Sequence, residues 1–143
     1  MAVYNKFNDF VSQCAKGTHQ IFTGTAQVFK VMLTNTAPVA TNAVKTDITE
    51  IAAGNGYVAG GNATTVTASN TAGTLTVQGT QVIVTAAGGT VGPFRYAVLY
   101  NDTAASKNLI AWWDYGSSIT LNDTEPLTLK FNNTTPGNMF TLV

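Results

Sequence analysis

At 143 residues and 15.0 kDa the chain has the length of one domain. Seven basic and seven acidic residues cancel, and charged residues make up 10% of the chain against about 25% in an average soluble domain. Seven cations scattered singly make no stripe for phosphates, so a nucleic-acid partner is not expected. The polar surface must come from neutral side chains. The 24 Thr, 13 Asn and 13 Gly suit strands joined by turns better than a helical bundle.

The opening Val3-Tyr4-Asn5-Lys6-Phe7 lacks a basic segment followed by an apolar core, and no run approaches the length of a membrane span. The expectation is a chain made in the cytosol, with no membrane partner. Cys14 stands alone and permits no internal disulfide. Stability must then come from the core or from neighbouring subunits.

Phe7, Phe10, Val11 and Cys14 fall at i, i+3, i+4 and i+7, which predicts an N-terminal amphipathic helix over about 5–16. Asn5 would cap it, Asp9 would face its positive end and Gly17 would stop it. From Gln27 to Thr34 the period changes to two, which predicts a strand that Thr36-Ala37-Pro38 ends. Asp47 and Glu50 have capping-box spacing ahead of Ile51-Ala52-Ala53, predicting one or two helical turns closed by Gly54. Asn55-Gly56 and Gly60-Gly61 bracket Tyr57-Val58-Ala59 with turns.

Residues 62–74 read equally as a solvated edge strand or a loop. Leu75–Val77 and Gln81–Thr85 read as a strand pair, or as one strand interrupted at Gly79. Phe94–Tyr100 alternates cleanly, Asn101-Asp102-Thr103 turns the chain, and Leu109–Tyr115 returns. Gly116 punctuates before a short strand at Ser117–Leu121. Leu127, Leu129 and Phe131 mark the next strand of an antiparallel meander. Pro136-Gly137 then precedes the apolar Met139–Val143. With no βαβ alternation, the expected fold is a single all-β domain over residues 1–143: an antiparallel β-sandwich or jelly-roll-like barrel with one N-terminal helix.

Catalytic equipment is missing from this pattern. His19 has no second His or Cys at metal-ligand spacing and no activated nucleophile, and reads as a surface or helix-end residue. Asp102 and Asp123 sit between Asn and Thr at turns, where carboxylates bond to nearby backbone. Asp114 alternates with Trp112 and calls for a structural partner, for which Arg95, the only arginine, is the candidate. Trp112 and Trp113 point to opposite faces and form no single sugar platform, which suits a sheet covered on both sides. Arg95, Trp112, Trp113 and Asp114 are therefore assigned to the structural core. No catalytic, cofactor-binding or metal-binding residue is expected, and the chain does not read as an enzyme.

Three blocks carry a resemblance: Tyr4-Asn5-Lys6-Phe7-Asn8-Asp9-Phe10-Val11; Val31–Pro38 continuing to Asp47–Tyr57; and Gly92-Pro93-Phe94-Arg95-Tyr96-Ala97-Val98-Leu99-Tyr100-Asn101-Asp102 with Trp112-Trp113-Asp114-Tyr115-Gly116. Together they resemble a family of small virion structural proteins of tailed bacteriophages. The resemblance implies a virion location after assembly in the host cytoplasm. It favours a head decoration or cement subunit, a homotrimer bound to the major capsid protein. Alternatives are a tail subunit (tube, adaptor or baseplate) and a host-carbohydrate-binding module. Apolar termini are where exchanged arms start, so Tyr4, Phe7, Phe10, Met139, Phe140 and Leu142 are the interface candidates. The competing expectation is that both ends pack on their own sheet.

Overall fold

The computed structural model describes residues 2–21, 27–133 and 136–143. Within them the order is β1 (Val3–Lys6), α1 (Asp9–Ala15), β2 (Phe29–Thr34), β3 (Asn62–Thr64), β4 (Val66–Thr71), β5 (Thr74–Gly79), β6 (Val82–Thr85), β7 (Val91–Asn101), β8 (Leu109–Leu121), β9 (Pro126–Leu129) and β10 (Gly137–Leu142). Short 3-10 turns lie at Lys45–Asp47 and Phe131–Asn133. The strand pairs are antiparallel and form a five-stranded sheet β1-β8-β7-β2-β3, a three-stranded sheet β10-β5-β4 and the pair β6-β9. The fold is all-β.

The large sheet is buried on both faces, as the opposed tryptophans required. Phe29, Val31, Leu33, Ala97, Leu99 and Ala111 point into the main core, where Val77, Val82, Val84, Phe131 and Met139 meet them from the smaller sheets and the second 3-10 turn. On the other face Met32, Val98, Tyr100, Leu109 and Trp112 pack with Phe7 and Ile48. An extra residue, Ile110, bulges from β8 between the pairs Leu99↔Ala111 and Tyr100↔Leu109. The bulge lets Leu109 serve one face while Ile110 and Ala111 both serve the other.

Several expectations are corrected. Residues 3–6 are a strand and not helix: β1 takes the open edge of β8 through Val3↔Asp114 to Lys6↔Ala111, and only 9–15 are helical. Asn8, not Asn5, precedes the helix, and its side chain makes no capping bond. Phe7 and Phe10 therefore do not share a helical face. The expected strands either side of Gly116 are one strand, β8, which bulges by three residues between the pairs Tyr96↔Asp114 and Phe94↔Ile119. β5 and β6 pair neither with each other nor as one strand. β9 joins β6 and not β8, so the meander ends at β8.

The helical turn expected after Asp47 is also absent. The Asp47 carboxylate instead accepts from the amides of Ala43 (2.8 Å) and Val44 (3.1 Å), fixing a 3-10 turn N-terminal to it. Beyond that turn the chain runs irregularly along β2 where β3 stops. There the Ile51 amide donates to the Leu33 carbonyl (3.1 Å), Thr34 Oγ1 donates to the Thr49 carbonyl (2.5 Å), and the Leu33 amide donates to the Tyr57 hydroxyl (3.0 Å). The irregular segment thus satisfies backbone groups that a longer β3 would otherwise have met.

Candidate functional site

The interface candidates divide by burial. Phe7 is wholly buried against Trp112, ring centroids 4.5 Å apart. Phe10 lies in the main core and meets Phe140 edge-to-face at 4.8 Å, so α1 packs directly on β10. Met139 is buried in the same core, and Phe140 and Leu142 are half-buried against it. Tyr4 alone is well exposed, at 41%, with its ring edge on Trp113. Both ends of the described chain pack on their own domain.

Three of these residues nonetheless meet at one place. Tyr4, Met139 and Phe140, with Lys6 and Asn138, line an open groove of about 480 Å³. Its walls come from β1 and β10, outermost strands of the five- and three-stranded sheets, and from Asn132 of the second 3-10 turn. An outermost strand leaves alternate amides and carbonyls of its free side for another partner, whether solvent, side chain or strand.

A second groove runs along β8 and β9. Trp113 and Tyr115, two apart on β8, share a face that Leu127, Leu129 and Lys130 close, and a small apolar cavity of about 40 Å³ opens beneath them. Tyr115 is 59% exposed. Arg95 and Asp114 do pair, Nε to Oδ1 at 2.7 Å and Nη2 to Oδ2 at 2.9 Å, and the Arg95 guanidinium lies 5.3 Å from the Tyr96 ring centroid. The pair is surface-lying and not interior, with side chains 38% and 27% exposed. The Arg95 guanidinium and the Gly116 amide hold the Asp114 carboxyl below its ordinary range, which keeps it ionised and structural.

Sequence reasoning missed the network around Glu50. Its Oε1 accepts from the Tyr57 hydroxyl (2.7 Å) and the Gly60 amide (2.6 Å), while Oε2 accepts from Lys45 Nζ (3.0 Å). Tyr100 donates to the Gly60 carbonyl at 2.7 Å. Burial drives the Tyr57 and Tyr100 hydroxyls upward from the usual phenol range, so both stay protonated donors. Four residues, Lys45, Glu50, Tyr57 and Tyr100, thereby tie the irregular segment to β7.

Asp102 is also corrected: it is not a simple turn carboxylate. It binds Lys30 Nζ at 2.8 Å and Lys107 Nζ, and these two ammonium groups, Lys107 first, hold it down at about 2. Asp123 does lie in a turn, but its carboxylate accepts from the Gly88 amide of a distant loop and not from its own turn. His19 is buried and not a surface residue, at 6% exposure beside Asn101 and Phe10. Burial also raises the Cys14 thiol, which disfavours the reactive thiolate.

Among the described residues no group of three or more His, Cys, Asp or Glu is placed to hold a metal ion, and no helix is long and apolar enough to cross a membrane. No protein-family model, curated protein or solved structure matches the chain. Glu50, Asp102 and Asp114 are taken up by lysines, an arginine, a tyrosine and backbone amides, in arrangements that hold chain segments together. Open grooves among the described residues include the two above and a third of about 570 Å³, lined by Val44, Lys45, Thr46, Ala105, Ser106 and Lys107.

Proposed function

We propose that this chain is a structural subunit of a virion, a head decoration protein that forms trimers and binds between copies of the major capsid protein. The observation that carries the reading is the groove between β1 and β10, where two outermost strands and the exposed Tyr4 stand together. A neighbouring copy or a capsid segment would add main-chain hydrogen bonds at such an edge, and the aromatic side chains would supply apolar contact. The low, balanced charge agrees, since copies crowded on a shell then repel one another little. The sequence resemblance supplies the virion setting. In this reading the five-stranded sheet packed on the two smaller ones is a β-sandwich, a rigid block suited to repeated placement.

Light scattering on the purified chain is expected to give a trimer, and the chain is expected to bind shells that lack it. A chain that stays monomeric and leaves such shells bare overturns the proposal. Replacing the exposed Tyr4 by Arg should weaken self-association while thermal unfolding of the subunit changes little, because this ring is not part of either core cluster. Particle imaging separates head from tail: density distributed over the shell supports decoration, and density confined to the tail axis assigns a tail subunit instead.

One observation favours a second reading, host-carbohydrate binding. Trp113 and Tyr115 share a face over a groove that also holds Thr128 and Lys130, combining stacking surface with hydroxyl and ammonium groups. Tryptophan emission should then be quenched by host polysaccharide. Unchanged emission at millimolar sugar removes this reading.

A further inference from the structure

The cluster around His19 is built for one protonation state. Asn101, the last residue of β7, has its orientation fixed because Oδ1 accepts from the amides of Thr103 (3.1 Å) and Ala104 (3.2 Å). Its Nδ2 must therefore face the other way. There it meets the Thr18 carbonyl at 3.1 Å, Gln27 Oε1 at 2.9 Å and His19 Nδ1 at 3.3 Å. Gln27 is oriented too, since its Oε1 also accepts from the Gln20 amide (2.8 Å) while Nε2 donates to the Thr18 carbonyl (3.3 Å).

The two hydrogens of Asn101 Nδ2 are shared among its three acceptors, of which His19 Nδ1 is the farthest, so a lone pair on Nδ1 suits this contact better than an N–H and favours the single ring proton on Nε2. A second proton would set an N–H on Nδ1 directly against the Asn101 amide hydrogens. It would also put a full charge into a site where Nε2 has no hydrogen-bond partner among the described residues.

We propose that this cluster is an acid-released latch: it closes only around the neutral imidazole, and protonation of His19 separates the 18–21 segment from the turn at 101–104. The surrounding charges do little to oppose release. On α1, Asp9 favours the imidazolium, but it already accepts from Ser12 Oγ (2.6 Å) and Gln13 Nε2 (2.8 Å). Beyond β7, Asp102 is held by Lys30 and Lys107. Burial outweighs Asp9 and carries the ring down to about 4 from 6.5. The ring of Phe10 links His19 (5.4 Å) to Phe140 (4.8 Å), so release reaches β10 and the groove it borders. Acidification would thus loosen one wall of the candidate interface while the centre of the large sheet stays closed.

The test is NMR on the full chain. The His19 ring at neutral pH is expected as the Nε2–H tautomer, and its titration is expected near 4. Amide protection at 18–21 and 101–104 should fall roughly a hundredfold from neutral pH to pH 4, by linkage with the shift from 6.5, while Val31, Val98 and Ala111 remain protected. The variant His19→Phe keeps an aromatic ring beside Phe10 and should lose this acid response. An Nδ1–H tautomer, an ordinary titration with unchanged protection, or the same opening in His19→Phe overturns the latch. The tautomer and titration are read on the unaltered chain, so they decide the matter even if the variant fails to fold. None of these readouts depends on whether the chain assembles into a shell.

Discussion

At the scale of single residues, close approach and polar satisfaction matter more than residue class. Gly61 has φ +74°, and a Cβ there would stand 1.9 Å from the Val31 carbonyl oxygen. Gly73 has φ +81° and open space around it. Gly61→Ala should therefore cost at least about 3 kcal/mol, from backbone displacement beside β2, whereas Gly73→Ala should cost about 1 kcal/mol from its left-handed φ alone. Urea unfolding of the two variants measures the difference. Glu50→Ala removes the acceptor of both the Tyr57 hydroxyl and the Gly60 amide, and should destabilise by about 3 kcal/mol in the same assay. Glu50 itself is illegible in the sequence as a hub. Its partners at 45, 57 and 60 follow no helix or strand period, so nothing short of the fold brings them together. The Arg95–Asp114 pair is readable, because a lone arginine and a carboxylate on adjoining strands leave few other choices.

At the scale of elements, the legible strands are those whose two faces differ in what they touch. Along Tyr96–Tyr100 and Phe29–Leu33 the apolar residues alternate because they meet the main core and the second cluster in turn. The first strand is hidden for a different reason. Tyr4, Phe7, Phe10, Val11 and Cys14 mimic a helical stripe, yet 3–6 gain ladder hydrogen bonds along β8 that a short isolated helix could not replace. Its packing is severe at the junction: Phe7→Ala should cost about 3–5 kcal/mol, since the ring is completely enclosed against Trp112. Gly116 misleads in the opposite sense, as a bulge absorbs the glycine and β8 continues past it. The pairing of β5 with β10 and of β6 with β9 is a long-range choice that local composition does not encode.

At the scale of the whole molecule, the response to acid depends on the order of the shifted groups. The folded-state pKa of His19 lies below its unfolded value, so its contribution is complete above about 6.5 and is lost as pH falls through about 4. The loss amounts to about 3 kcal/mol for a shift of this size. Asp102, depressed from 3.8 to about 2, contributes above the first value and fails only below it. Acid titration of the unfolding midpoint should accordingly show decline beginning well above the carboxylate range, and His19→Phe should flatten that upper part while leaving the lower part in place.

The strand order β1-β8-β7-β2-β3 also governs when the protein can form during synthesis. The β1 segment leaves the ribosome well before its ladder partners at 111–114, which follow roughly a hundred residues later. Until then Phe7 lacks Trp112, and Phe10 waits longer still for Phe140, so these contacts cannot form in chain order. Emergence of β8 completes the large sheet, and the main core closes only when β9, Phe131 and β10 follow it, so most of the apolar surface waits for the last part of the chain.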